Sequence, residues 1–174
     1  MVDAEWLKDH IKDLVDFPQA GVTFRDITPL LADPKALQFA IERLASPFHD
    51  DGIDKVVAVE ARGFIFGVAV ANTLGVGFVP VRKPGKLPRA VHVERYELEY
   101  GTDALEIHQD ALTAGERVLV VDDVLATGGT ASATMALIEQ LGAEVAALSF
   151  LIDLTFLDGR SRLSGQNIHA VLEY

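Results

Sequence analysis

A chain of 174 residues with 49% hydrophobic and 24% charged residues has the size and composition of a single globular domain with a substantial core. It contains no cysteine, which excludes disulfides, thiolate metal sites and cysteine nucleophiles and is compatible with a cytoplasmic location. The net charge of −11 argues against nucleic-acid binding through bulk charge, so a polyanionic small molecule would need basic groups placed locally.

The first ten residues carry acids where a signal peptide would carry basic and then apolar residues. No apolar run approaches the roughly 18 residues of a membrane span. Leu7, Ile11, Leu14 and Val15 share one helical face, with Asp3 as the N-cap. Residues 17–31 (FPQAGVTFRDITPLL) contain two prolines and a glycine and mix apolar with charged side chains, as in an ordered loop. Asp33-Pro34 is an N-cap followed by proline at the first helical position, and Leu37, Ala40, Ile41 and Leu44 continue that helix to Pro47. Residues 56–59 form a buried strand ending at Glu60-Ala61-Arg62-Gly63, followed by a helix that stops at Gly75. Residues 78–81 form another strand, leading into Arg82-Lys83-Pro84-Gly85-Lys86.

Residues 90–108 are charged and alternating, the pattern of an excursion such as a hairpin outside the main sheet. The apolar run 118–121 fits a parallel strand buried on both faces, with Asp122 and Asp123 where it stops. A short link, Val124-Leu125-Ala126, leads to Thr127-Gly128-Gly129-Thr130 and then to Ala133, Leu137, Ile138 and Leu141 at helical spacing. Residues 145–152 and 168–172 complete the strands. Strands alternating with helices indicate an α/β domain with a mainly parallel central sheet flanked by helices. Ligands of such sheets bind at the carboxyl ends of the strands, where 60–63, 82–86 and 122–130 all fall.

The stretch from Asp122 to Thr130 has a chemical reading. Gly128 and Gly129 let a ligand approach the main chain, and the amides opening the next helix suit a phosphate. Thr127 and Thr130 add hydroxyl donors. Two carboxylates would repel a bare phosphate, so they fit better as acceptors for sugar hydroxyls beside it. The bland reading is an acidic strand cap and a tight turn. Neither G-x-x-x-x-G-K-[ST] nor a strand-linked G-x-G-x-x-G occurs.

At V-D-D-V-L-A-T-G-G-T the chain resembles the phosphoribosyl-pyrophosphate (PRPP) signature of type I phosphoribosyltransferases. With F-P-x-x-G-V-x-F-R-D-I-T-P-L-L, E-A-R-G-F-I-F-G, V-R-K-P-G-K-L-P and Y-E-L-E-Y-G, it is similar to the adenine phosphoribosyltransferase family over nearly its whole length. The resemblance implies that fold in one domain, with a small N-terminal hood for base recognition at 1–33 and a flexible lid or hairpin at 83–108. It implies transfer of the 5-phosphoribosyl group from PRPP to adenine, giving AMP and pyrophosphate, with Mg²⁺ carried by PRPP rather than by protein ligands. A homodimer is implied too, with Arg82 able to act across it.

Residue roles follow from the same resemblance. Ala126, Thr127, Gly128, Gly129 and Thr130 would hold the 5′-phosphate, and Asp122 and Asp123 the ribose hydroxyls. Ala61, Arg62, Gly63, Arg82, Lys83 and Lys86 would meet the diphosphate, Arg62 with a catalytic share. Val22, Thr23, Phe24, Arg25 and Val124 would form the adenine site, although Phe24 by itself also fits a core anchor. Glu99 would assist at purine N7 or N9, with Tyr100 beside it in the lid. Spacing alone does not choose among Glu94, Glu97 and Glu99; the Y-E-L-E-Y-G match does. Two other readings use the same residues: a phosphoribosyltransferase for a 6-oxopurine, and a PRPP-sensing regulator without catalysis. The segment before residue 56 holds no basic recognition helix for the latter.

Overall fold

A computed structural model describes residues 3–97 and 102–174. The chain opens with a 3₁₀ turn, Glu5–His10, and then pairs two short strands, β1 (Lys12–Val15) and β2 (Thr23–Asp26), antiparallel. This corrects the helix expected through Val15. Ile11 is already extended, at φ −116° and ψ 127°, and Leu14 and Val15 are 42% and 72% exposed. Leu7 and Ile11 do bury, but from the turn. The loop expected over 17–31 contains β2, because left-handed residues Asp16 and Gly21 reverse the chain. Gly21 N–H donates to Asp16 Oδ1 at 2.7 Å, and Phe17 N–H to the Val22 carbonyl at 3.1 Å.

Helix α1 (Thr28–Ala32) precedes α2 (Pro34–Ala45), whose start matches expectation: Asp33 Oδ1 accepts from the amides of Lys35 and Ala36, both at 2.9 Å. Then come β3 (Lys55–Val59), α3 (Arg62–Leu74), β4 (Gly77–Val81), the hairpin β5 (Val91–Glu97) and β6 (Thr102–His108), β7 (Arg117–Leu125), α4 (Gly129–Gln140), β8 (Glu144–Asp153), α5 (Gly159–Arg162) and β9 (Ile168–Glu173). The five long strands form a parallel sheet in the order β4-β3-β7-β8-β9, and the β5–β6 hairpin stands outside it. Antiparallel exchange between Arg82 and Glu106 fastens that hairpin to the end of β4.

Alternation along β7 explains its uniform apolarity. Leu119 and Val121 enter one core with Phe66 and Val70 of α3 and Leu44 of α2, whereas Val118 and Val120 enter the other with Leu137 and Ile138 of α4. Burial on both faces leaves no polar position from Val118 to Val121. The strand's end lies further along than expected. Asp122, Asp123, Val124 and Leu125 belong to the strand, since β8 is long enough to pair Asp122 with Phe150, Val124 with Ile152 and Leu125 with Asp153. Among the described residues, no helix is long and apolar enough to cross a membrane.

Candidate active site

The carboxyl ends of β3 and β7 open on a cleft of about 370 Å³. Ala61, Arg62, Lys83, Asp122, Asp123, Val124 and the whole 126–130 turn line it. Gly63 lies directly beneath: a β-carbon there would stand 2.5 Å from Asp122 Oδ1. The first turn of α3 can therefore press against the acidic pair only because this residue has no side chain.

The turn leads directly into a helix N-terminus. Gly128 takes a left-handed conformation, φ 78°, and caps α4. The first amides of a helix lack partners within it, and their dipoles add. Thr130 contributes a hydroxyl 3.4 Å from that of Tyr96, which in turn donates to Asp103 Oδ2 at 3.2 Å.

The acidic pair carries unusual electrostatics. Burial, then the adjacent Asp123 carboxylate, push Asp122 well above the ordinary carboxylate range. Burial also raises Asp123, against the opposing pull of the Arg62 guanidinium. Arg62 Nε stands 2.6 Å from Asp123 Oδ2, yet that buried oxygen receives no directed hydrogen bond among the described residues. The contact is an ion pair, and both residues line the cleft.

The basic segment divides. The Lys83 ammonium bonds to Asp103 beside the Tyr96 ring; burial opposes its charge, but the bond to Asp103 wins and its pKa is raised. Arg82 is turned onto Glu60 at 2.9 Å and does not line the cleft, nor does Lys86. Burial opposes the Glu60 charge too, but the Lys83 amide and Arg82 outweigh it and lower its pKa.

Val22, Thr23, Phe24 and Arg25 do not line the cleft either. Phe24 reaches it indirectly, with the Arg62 guanidinium 4.9 Å over its ring and Phe17 edge-on at 5.3 Å. Arg25 points away, paired with Asp13 and stacked 4.1 Å over Tyr174. Glu99 and Tyr100 lie outside the described residues. Glu60 and Tyr96 line the cleft unforeseen, although both fall inside the motifs quoted above; Asp103, which holds Lys83, carried no such signal. No cluster of three His, Cys, Asp or Glu suited to a metal occurs among the described residues.

Residues 30–167 match the family model described as "Phosphoribosyl transferase domain". The adenine phosphoribosyltransferase of Methylococcus capsulatus is 56% identical over 168 residues, covering 97% of this chain and 98% of the relative. That of Rhodopirellula baltica is 55% identical over 97% of this chain and 82% of its own. Among solved structures, adenine phosphoribosyltransferase from Thermoanaerobacter pseudethanolicus superposes with a TM-score of 0.96 at 52% identity, covering 98% of this chain and 99% of that one. The Saccharomyces cerevisiae enzyme, complexed with D-2,5-dideoxy-2,5-imino-altritol 1,6-bisphosphate and adenine, gives 0.92 at 42% identity, covering 97% and 98%. The chain with this acidic pair and glycine turn therefore belongs to the phosphoribosyltransferases, within the adenine phosphoribosyltransferase family.

Proposed function

We propose that the protein transfers the 5-phosphoribosyl group of PRPP to adenine, releasing pyrophosphate. One observation carries the residue-level reading: Asp123 Oδ2 is paired with Arg62 Nε at 2.6 Å at a cleft that both residues line, shortly before the glycine turn that opens a helix. A ribose hydroxyl donating to this carboxylate frees the guanidinium for the diphosphate. The 126–130 turn takes the 5′-phosphate, and Asp122 and Asp123 take the two ribose hydroxyls.

With the sugar so held, the diphosphate extends toward Arg62, Lys83 and the backbone of 61–63. Charge develops on the departing diphosphate as the bond at C1 breaks, and cations fixed in advance stabilise it more than they stabilise the bound substrate. Arg82 and Lys86 add positive potential at this end. Val124 and Phe24 flank the purine, with Val22, Thr23 and Arg25 in the segment that reads its edge. The Y-E-L-E-Y-G match assigns Glu99 to purine N7 or N9 and Tyr100 to the lid.

The donor set suits Mg²⁺ carried by substrate oxygens, since the acidic pair supplies at most two protein ligands in one place; when bound, the ion offsets diphosphate charge. Two copies associate through apolar surface that includes Ile65 and Val68 of α3, both exposed in the single chain. Sedimentation checks the dimer. The activity is tested by incubating the protein with PRPP, Mg²⁺ and each purine base in turn: AMP from adenine is the expected product. Turnover of a 6-oxopurine alone would reassign the base, and PRPP binding without any product would make the protein a sensor.

A further inference from the structure

The phosphate turn lacks a cation of its own. Residues 126–130 include no lysine or arginine, and two acids, Asp122 and Asp123, stand shortly before them. A dianionic phosphate there would rest on amide dipoles and threonine hydroxyls against the field of the neighbouring carboxylates.

A cation reaches the turn from another part of the chain. Helix α5 begins at Gly159, packed so closely on the turn that a β-carbon there would collide with the Ala126 carbonyl and stand 3.1 Å from the Gly128 nitrogen. The contact fixes the position of Arg162 three residues on. Seen from Gly128, an added β-carbon would lie 3.3 Å from Arg162 Cβ; seen from Gly129, one would lie 3.1 Å from Arg162 Nη1 and 3.3 Å from Tyr96 Cδ2. The arginine stem thus crosses one glycine of the turn and its guanidinium reaches the next. The neighbouring arginine behaves differently. Arg160 is held by Asp153 at 2.5 Å and Glu173 at 3.6 Å, whereas the Arg162 side chain makes no ion pair or hydrogen bond among the described residues.

We propose that Arg162 is a further binding residue of the donor site, supplying from α5 the positive charge that the 126–130 turn lacks and drawing the 5′-phosphate across its two glycines. The inference rests on the phosphoribosyl reading above. A guanidinium matches phosphate oxygens with its planar fork and reinforces the dipole of α4. The 5′-phosphate is remote from C1, so this interaction is the same in the bound substrate and the transition state; it sets KM for PRPP and leaves kcat alone.

The test compares Arg162→Met and Arg162→Gln, which keep the stem over Gly128, with Arg162→Lys, which also keeps the charge. Ribose 5-phosphate and pyrophosphate binding are measured by calorimetry, and KM and kcat by steady-state assay. The neutral variants should weaken ribose 5-phosphate binding and raise KM for PRPP about three- to tenfold, as for a partly hydrated cation on a phosphate. Pyrophosphate affinity and kcat should stay within about twofold, and lysine should restore most of the loss. Unchanged ribose 5-phosphate affinity in both neutral variants overturns the proposal. So does an equal loss of pyrophosphate affinity, which marks a collapse of the cleft. Failure of the unmodified protein to bind ribose 5-phosphate overturns the phosphoribosyl reading itself.

Discussion

Arg62 Nε stands 2.6 Å from Asp123 Oδ2, so the cation assigned to the leaving diphosphate is held by an acid assigned to the ribose. In the free protein each group partly neutralises the other. Substrate must divide them, the ribose hydroxyl taking the carboxylate while the guanidinium turns to the diphosphate. The two residues are thereby coupled. Asp123→Asn should lower kcat/KM for PRPP about tenfold to a hundredfold, as expected for loss of a hydrogen bond to a charged group. Arg62→Ala should lower it by a similar factor, and the double variant by clearly less than the product of the two. Strict additivity in this cycle would mean that the pair works as two independent contacts.

Asp122 carries a stability penalty that should be measurable as a function of pH. Burial and the Asp123 carboxylate raise its pKa well above the ordinary 3.8. Because the folded value exceeds the unfolded one, the favourable contribution exists in acid and is lost as pH rises through the folded value. At neutral pH, above the unfolded value, the buried carboxyl group therefore opposes folding. Asp122→Asn keeps an oxygen to accept the Asp123 amide, now bonded at 2.9 Å, without the charge. The variant should melt several degrees higher at pH 7.5, for a gain on the order of 1 kcal/mol. The difference should shrink to a small residue near pH 3.5 and vanish as the pH falls well below the ordinary aspartate value of about 3.9. Activity should move the other way, with KM for PRPP rising. A lower Tm at pH 7.5 would contradict the penalty.

Gly63→Ala probes the floor of the same site. Alanine is the better helix former by about 1 kcal/mol, and Gly63 sits in the first turn of α3. Its methyl, however, would meet Asp122 Oδ1 at 2.5 Å. Overpacking of this kind costs about 1–3 kcal/mol, so the clash outweighs propensity and Asp122 must shift. KM for PRPP should rise severalfold while KM for adenine holds, both read from initial rates. An unaltered KM for PRPP would show that Asp122 can move without consequence.

Local signals account for what was legible. Strands β3, β4, β7 and β8 stood out as apolar runs because the sheet is covered on both faces, and α2 and α3 carried their start and stop signals in Asp33 and Gly75 respectively. The turn at 126–130 was legible because glycines and threonines follow a strand directly. Two errors came from local patterns overridden by tertiary pairing. Leu14 and Val15 matched a helical period but sit on an exposed strand paired with β2. Asp122 and Asp123 looked like the end of β7, but pairing with β8 carries the strand on to Leu125. Partners brought together by folding alone could not be foreseen: Tyr96 meets Thr130 across 34 residues, and Arg162 reaches Gly129 from the short helix after β8.

Asp103 competes with substrate for Lys83, and that competition can be isolated. The carboxylate bonds both the Lys83 ammonium and the Tyr96 hydroxyl at the edge of the cleft. Burial disfavours the Asp103 charge, but the lysine bond prevails and lowers its pKa, so both partners remain ionised at neutral pH. A diphosphate approaching Lys83 must break this pair, which for half-exposed groups costs about 0.5–1 kcal/mol. Asp103→Asn should therefore tighten pyrophosphate binding about twofold to fivefold, the same range expressed as affinity. Lys83→Ala should weaken it by roughly tenfold, as for loss of one charge-assisted contact. The decisive comparison is the double variant. If Asp103 acts by occupying Lys83, Asp103→Asn has no effect on pyrophosphate affinity once Lys83 is alanine. An equal gain in both backgrounds would assign Asp103 to general repulsion of anions and release Lys83 from the competition.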